Sequence, residues 1–268
     1  MSFSADWLAL REPYDKAARN PLVLDAVTAS LADNNALRIV DLACGTGSTM
    51  REVAPRISAT QHWQLVDNNL SLLARVSGIA PPVGVSFMTA PIDLNHDLEA
   101  ALDGPVDLVT TSALLDLVSE TWLERLVMEI AARSIPIYAA LTYDGRVEIE
   151  PANSHDEAVI QAVNAHQRRD KGFGPALGPR AAHVIVRRFE SVGYSVVHGT
   201  ADWRFGPSDR EIQTEIFSGW ANAARETGNL PLADIVDWLT FHRDEIAAGR
   251  SSLRVGHIDF FAEPITTR

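Results

Sequence analysis

The stretch Arg38-Ile39-Val40-Asp41-Leu42-Ala43-Cys44-Gly45-Thr46-Gly47-Ser48-Thr49-Met50 constrains the fold more than any other part of the chain. A short apolar run ending near an acid leads into a turn with two glycines and then into residues that start a helix. Gly45 and Gly47 can take positive φ and have no Cβ, so a ligand can lie directly on the main chain. Strand, glycine turn and helix in that order make a nucleotide cradle in an open α/β sheet. Two details separate it from a dinucleotide fingerprint. Met50 stands where a third glycine would let the helix pack close to the strand, and Asp41 places negative charge where a pyrophosphate would be repelled. An acidic entrance suits a ligand with a cationic end.

The next strand, His62-Trp63-Gln64-Leu65-Val66-Asp67, ends in an acid 20 residues past Gly47, the spacing at which a carboxylate accepts hydrogen bonds from ribose hydroxyls. A third strand, Val85 to Thr89, leads to Ile92-Asp93-Leu94. A fourth, Val106 to Thr111, opens into Ser112, Ala113 and Asp116, which fall beyond the carboxyl end of the sheet, where open α/β folds bind ligands. The fifth runs from Ile135 to Thr142 before Tyr143, a sixth from Tyr194 to Val197, and the last from Leu253 to Phe261.

The D-x-x-C-G-T-G turn, Asp67 after a strand, Asp93-Leu94 after a third and the fourth strand resemble the class I S-adenosylmethionine-dependent methyltransferases over roughly two-thirds of the chain. The resemblance implies a Rossmann-like, doubly wound, mostly parallel seven-stranded α/β sheet with an antiparallel last strand. It implies S-adenosyl-L-methionine as cofactor, S-adenosyl-L-homocysteine as product, and transfer to oxygen or nitrogen of a small molecule. The cofactor-binding set it gives is Tyr14 and Arg19 closing over the methionine end, Asp41, Ala43, Cys44, Gly45 and Gly47 in the turn, Asp67 and Asn68 beside the ribose, Asp93 and Leu94 at the adenine, and Ser112 and Ala113 near the reacting methyl. No Asn/Asp-Pro-Pro-aromatic sequence follows the fourth strand, which argues against planar amino groups as acceptors. Asp116 and Arg169 are candidates for holding the acceptor, and His166 and Tyr143 for deprotonating a hydroxyl or ordering an amine. A nicotinamide-dependent dehydrogenase would use the same turn and the same Asp67, and a non-catalytic member would bind the cofactor as scaffold or sensor.

Residues 2 to 32 read as helical, with Pro13 and Pro21 near helix starts, and form an N-terminal cap over 1–32. Helices are expected over 48–57, over 68–77 with Asn68 as its cap, and over 120–133, 153–171 and 180–192. Residues 207–250 form a helical insertion before the last strand. With the Gly- and Pro-rich loop 171–179 it is expected to be a mobile cover, its Trp203, Phe205, Phe217, Trp220, Trp238 and Phe241 lining an apolar acceptor pocket.

At 268 residues and 46% hydrophobic the chain can bury one full core, so 1–268 reads as a single domain. No apolar run reaches membrane-spanning length, and the N-terminus lacks the order of a signal peptide, so a soluble, cytoplasmic protein is expected. A formal charge of −12 repels polyphosphate backbones, which disfavours nucleic acid and leaves a small-molecule partner. Cys44 is the single cysteine, so neither a disulfide within the chain nor a thiolate metal site is open to it, and no metal is expected.

Overall fold

The computed structural model describes residues 3–265, so the readings over Met1, Ser2 and residues 266–268 lie outside the described residues. The N-terminal segment breaks into α1 (Ala5–Ala18) and α2 (Pro21–Ser30). Asn20 is extended, its side chain accepts from the amides of Leu22 and Val23, and Pro21 presets the first helical residue. Pro13 lies inside α1, not near its start.

The alternation then runs β1 (Ala36–Leu42), α3 (Ser48–Val53), β2 (Thr60–Asp67), α4 (Leu70–Ser77), β3 (Val85–Pro91), α5 (Leu98–Ala101), β4 (Leu108–Ser112), α6 (Glu120–Ala132) and β5 (Ile137–Glu150). It continues with α7 (Asp156–Gln167), α8 (Ala181–Ser191), β6 (Tyr194–Thr200), β7 (Trp203–Phe205), α9 (Arg210–Thr227), α10 (Leu232–Ala247) and β8 (Ser252–Pro264). The strands lie in the order β3-β2-β1-β4-β5-β8-β6, with β7 also paired to β8. β1 to β5 pair in parallel, and β8 runs antiparallel to β5, β6 and β7.

The sheet therefore has eight described strands where seven were expected. The extra one is Trp203-Arg204-Phe205, whose burial alternates and which pairs with the first half of β8. β8 is 13 residues long, enough to carry β6 and β7 one after the other. β5 likewise continues past Tyr143 to Glu150, because two register shifts let it follow β8.

The central strands are buried on both faces, as parallel strands covered by helices must be. Leu37 and Ile39 belong to one core and Val40 and Leu42 to the other. Of the aromatic residues expected to line an acceptor pocket, Trp203, Phe205, Phe217 and Trp238 join the first of these cores, and Trp220 packs against it half-buried. Phe217 and Trp238 are fully buried, and Trp203 and Phe205 nearly so. Phe217 stacks on His242 at 4.5 Å and meets Trp238 at 5.4 Å and Trp220 at 5.8 Å, while Phe241 stands edge-on to His242 at 5.1 Å. Asp156 accepts from both Trp238 Nε1 and His242 Nε2 at 2.7 Å, tying α10 to α7. Two amphipathic helices added to one side of a sheet bury their aromatic faces against each other and against α7, which takes Phe217 and Trp238 out of reach of solvent and leaves Trp220 and Phe241 half-buried. No helix among the described residues is long and apolar enough to cross a membrane.

Candidate cofactor and acceptor site

Just past the end of β1 the main chain enters the left-handed region three times, at Ala43 (φ 54°), Gly45 (φ 55°) and Gly47 (φ 78°). The amide of Cys44 donates to the Val66 carbonyl at 2.9 Å and that of Gly47 to the Cys44 carbonyl at 2.8 Å, closing the turn. Ala113 (φ 52°), just beyond β4, and Leu141 (φ 55°), in β5, take the same conformation. Each such non-glycine residue costs on the order of 1–2 kcal/mol. The three lie on adjacent strands, where the parallel part of the sheet ends. Ala113 is held by the Ala140 carbonyl at 3.0 Å and Leu141 by Asp259 Oδ1 at 2.8 Å. Three of the four described non-glycine residues with positive φ fall along this edge, which makes it the candidate site; the fourth, Ser134, lies at the end of α6.

Asp67 sits across the turn. Its Oδ2 accepts from the Gly45 amide and its Oδ1 from the Asn69 amide, both at 2.9 Å. Asn69 is the cap of α4, whereas Asn68, read as the cap, is exposed at the rim. The next acid back, Asp41, is fully buried. Thr110 Oγ1 donates to its Oδ1 at 2.8 Å and its Oδ2 has no partner. Burial pushes its pKa up to about 7, against the pull of Thr110 and the Arg19 guanidinium.

Arg19, in the break between α1 and α2, is also buried. It donates to the Tyr138 hydroxyl at 3.1 Å and to Thr49 Oγ1 at 3.5 Å, and its Nε has no partner. Unpartnered buried polar atoms are rare, and here one acid and one base carry them within each other's field. Cys44 is buried and burial raises its thiol pKa, which leaves it a packing residue.

The α1 helix lies directly on the turn, since a Cβ on Gly45 would come 3.2 Å from Leu8 Cδ1. The face of α1 turned to the cradle carries Leu8 and Glu12, one turn apart. Tyr14 points elsewhere: its hydroxyl donates to Asp209 Oδ1 at 2.9 Å and its ring meets Phe205 at 4.8 Å, so it docks on the insertion and not over the turn. Beyond β3, Asp93 accepts from the Asn95 amide at 2.9 Å and lies 3.1 Å from His96 Nδ1, organising that loop. Leu94 is buried, and its carbonyl accepts from Trp122 Nε1 at 2.8 Å. Ser112 and Ala113 are half-buried at the end of β4.

Asp116, four residues past β4, is buried with Oδ1 unpartnered. Burial pushes its pKa up to about 6, opposed by the amides of Asp116 and Tyr143 and by the fields of Arg11 and Lys171. The loop after α7 folds onto this segment: the Leu177 amide donates to the Val118 carbonyl at 2.8 Å and the Gly178 amide to the Asp116 carbonyl at 2.9 Å.

The two residues read as bases are both occupied. Ring nitrogens of His166 lie 3.0 Å from Glu226 Oε2 and 3.1 Å from Lys171 Nζ. The Tyr143 hydroxyl donates to Asn164 Oδ1 at 2.8 Å, and burial raises its pKa. Arg169 is exposed and donates to the Glu226 carbonyl at 2.8 Å, because α7 ends at Gln167 and releases it to the surface. The buried cation of this region is instead Lys171, with Arg11 on α1, paired to Asp15 at 2.9 Å, as the second. Neither carried a sequence signal; only a folded loop and a packed helix bring them to Asp116. Among the described residues no group of three or more His, Cys, Asp or Glu side chains is placed to hold a metal ion.

No protein-family model matches the sequence, and no curated protein does. Solved structures do. A cyclopropane-fatty-acyl-phospholipid synthase-like protein from Lactobacillus casei aligns with 97% of this chain and 94% of its own at 12% identity, TM-score 0.52. The YcgJ protein from Bacillus subtilis aligns with 92% of this chain and 100% of its own at 13% identity, TM-score 0.50. A SAM-dependent methyltransferase from Thiobacillus denitrificans, in complex with S-adenosyl-L-homocysteine, aligns with 98% and 100% at 15% identity, TM-score 0.45. At such identities the likeness is one of fold: the chain has the Rossmann-like fold of the class I S-adenosylmethionine-dependent methyltransferases.

Proposed function

We propose that this chain is an S-adenosylmethionine-dependent methyltransferase acting on a small molecule. The observation that carries the reading is the pair of unpartnered buried atoms beside the glycine turn, Asp41 Oδ2 and Arg19 Nε. A zwitterionic amino acid end, with an ammonium and a carboxylate, complements both. A pyrophosphate complements neither the acid nor a turn crossed by Asp67, so the dinucleotide reading is disfavoured. Asp67 keeps free lone pairs on both carboxylate oxygens and can accept from two ribose hydroxyls without giving up the Gly45 and Asn69 amides.

The bound sulfonium would supply an already activated methyl group. This chain's residues then have to align the acceptor, exclude water and take a proton where the acceptor carries one. The strained residues Ala43, Ala113 and Leu141 fix the backbone on which that alignment rests.

Isothermal titration calorimetry with S-adenosylmethionine, S-adenosylhomocysteine and NAD tests the reading. Micromolar binding of the first two and none of NAD is expected. Tight NAD binding without a response to S-adenosylhomocysteine would reject it.

A further inference from the structure

Beyond the turn, Asp116 is the buried acid whose charge the fold leaves least compensated. Its Oδ1 has no partner, it is 5% exposed, and it lies in the segment that leaves β4 toward the active edge of the sheet. The groups that face it are bonded elsewhere, and the two cations among them reach it only through their fields. Arg11 on α1 donates from Nε to both oxygens of Asp15, at 3.1 and 2.9 Å. Lys171 on the covering loop lies 3.1 Å from His166 Nδ1, and the Tyr143 hydroxyl on β5 is used by Asn164. Thr142, next in the chain to the residue whose amide faces Asp116, carries a buried hydroxyl oxygen that also has no partner. A buried carboxylate oxygen left unsatisfied in a native fold calls for a partner from outside the chain.

We propose that Asp116 binds the methyl acceptor and is its general base, so that the acceptor is a proton-bearing nucleophile, a hydroxyl or a neutral amine, and not a carboxylate or an alkene. The proposal rests on the methyltransferase reading above. In the step it describes, a lone pair of the acceptor oxygen or nitrogen forms the bond to the methyl carbon. The carbon–sulfur bond breaks with its electron pair going to sulfur, and the acceptor's proton passes to Asp116 Oδ1. The carboxylic acid so formed returns the proton to water when product leaves. A carboxylate acceptor would meet an unpaired like charge at this oxygen. An alkene would leave the oxygen still unsatisfied. The raised pKa agrees with the role, since a base near 6 is ionised at neutral pH yet holds a proton far better than an exposed carboxylate.

The test begins with calorimetry of S-adenosylhomocysteine, whose failure would remove the methyltransferase reading itself. On the S-adenosylhomocysteine complex, ligand-observed NMR then compares matched fragments at pH 8: phenol with anisole, and aniline with N,N-dimethylaniline. The proton-bearing member of at least one pair is expected to bind about fivefold or more tightly, a preference that Asp116→Ala removes. The pair that discriminates tells hydroxyl from amine. With labelled S-adenosylmethionine, Asp116→Asn should lower transfer to the preferred fragment about 100- to 10,000-fold with KM within a few-fold. A residue that only shaped the site would move KM and thermal stability instead. If Asp116→Ala does not fold, the wild-type preference and the Asp116→Asn rate decide. Equal binding within every pair, or transfer to benzoate or to vesicles of an unsaturated phosphatidylglycerol unchanged in Asp116→Asn, would overturn the proposal.

Discussion

Glu12 and Arg51 form a two-bond ion pair, 2.7 Å on each side, that joins the N-terminal helix to the helix leaving the glycine turn. Arg51 also donates to the Thr46 carbonyl inside the turn, so α1 is latched to the cradle itself. Both side chains are about a third exposed or less, 27% and 33%, and solvent screening limits the pair to roughly 0.5–1 kcal/mol. Glu12→Gln should therefore leave the melting temperature within a few degrees while S-adenosylhomocysteine leaves about three- to fivefold faster by stopped flow. An unchanged release rate would mean that α1 does not gate the cradle.

Asp67→Ala removes a carboxylate that already organises two backbone amides and is placed to accept from a ribose. The loss should be about 2 kcal/mol of cofactor affinity, near thirtyfold in Kd. A dissociation constant within threefold of wild type would place the ribose elsewhere.

Gly47 takes φ +78°, and a Cβ there would lie 3.4 Å from Val76 Cγ1 and 3.5 Å from Arg51 Nη1. That Cβ would only touch its neighbours, but valine's branches would go beyond it and the positive φ would strain the backbone by about 1–2 kcal/mol. Gly47→Val should fold with a lowered melting temperature and no calorimetric response to S-adenosylhomocysteine; normal binding in the folded variant would show that the turn is not the cradle.

Asp41 titrates near pH 7 in the folded chain and near pH 4 in an unfolded one, because burial disfavours its charged form. Between those values the folded state holds a proton that the unfolded state has released. Its stabilising contribution is complete below about pH 4 and is lost as the pH rises through about 7. Asp116, at about 6, acts in the same direction. Asp41→Asn cannot ionise and keeps an acceptor for Thr110, so its melting temperature relative to ligand-free wild type should rise between pH 5 and pH 8. A constant difference across that range would show that Asp41 is already ionised at pH 5.

Trp238 is fully buried between Phe217 and His242 and donates to Asp156. Trp238→Ala should cost about 3–5 kcal/mol in denaturant unfolding. For the same reason a chain in which residues 207–250 are cut to a short turn should fail to give a cooperative transition. A stable, cooperative deletion variant would restore the picture of a detachable cover.

The parallel half of the sheet was legible because each strand there is a dense apolar run, and because Asp41, Gly45, Gly47 and Asp67 follow from backbone requirements that admit few other residues. β7 was not legible: Trp203-Arg204-Phe205 is three residues long and becomes a strand only because β8 has room for it. The helical insertion over 207–250 was legible from its periodicity, and the structure has α9 and α10 there, but periodicity could not say what their apolar faces meet. The acceptor side depended on still longer-range facts. His166 is engaged by Glu226 sixty residues on, and Lys171 turns inward while Arg169 turns out, a choice set by the end of α7 at Gln167. Asp116 was recognisable from its place after a strand, but its missing partner was not.

The position of β8 also orders the protein in time. β8 follows every other described element along the chain, yet it lies in the sheet between β5 and β6. Its Asp259 accepts from the amide of Asn20, where α2 begins, and from the amide of Leu141 in β5. On the ribosome, then, the glycine turn and the four strands beside it emerge early, but the N-terminal break next to Arg19 and the bend in β5 lack the carboxylate that joins them until β8 has been made. The cradle is translated well before the strand that ties its surroundings together, so a nascent chain stalled before β8 should retain the cofactor more weakly than the finished protein.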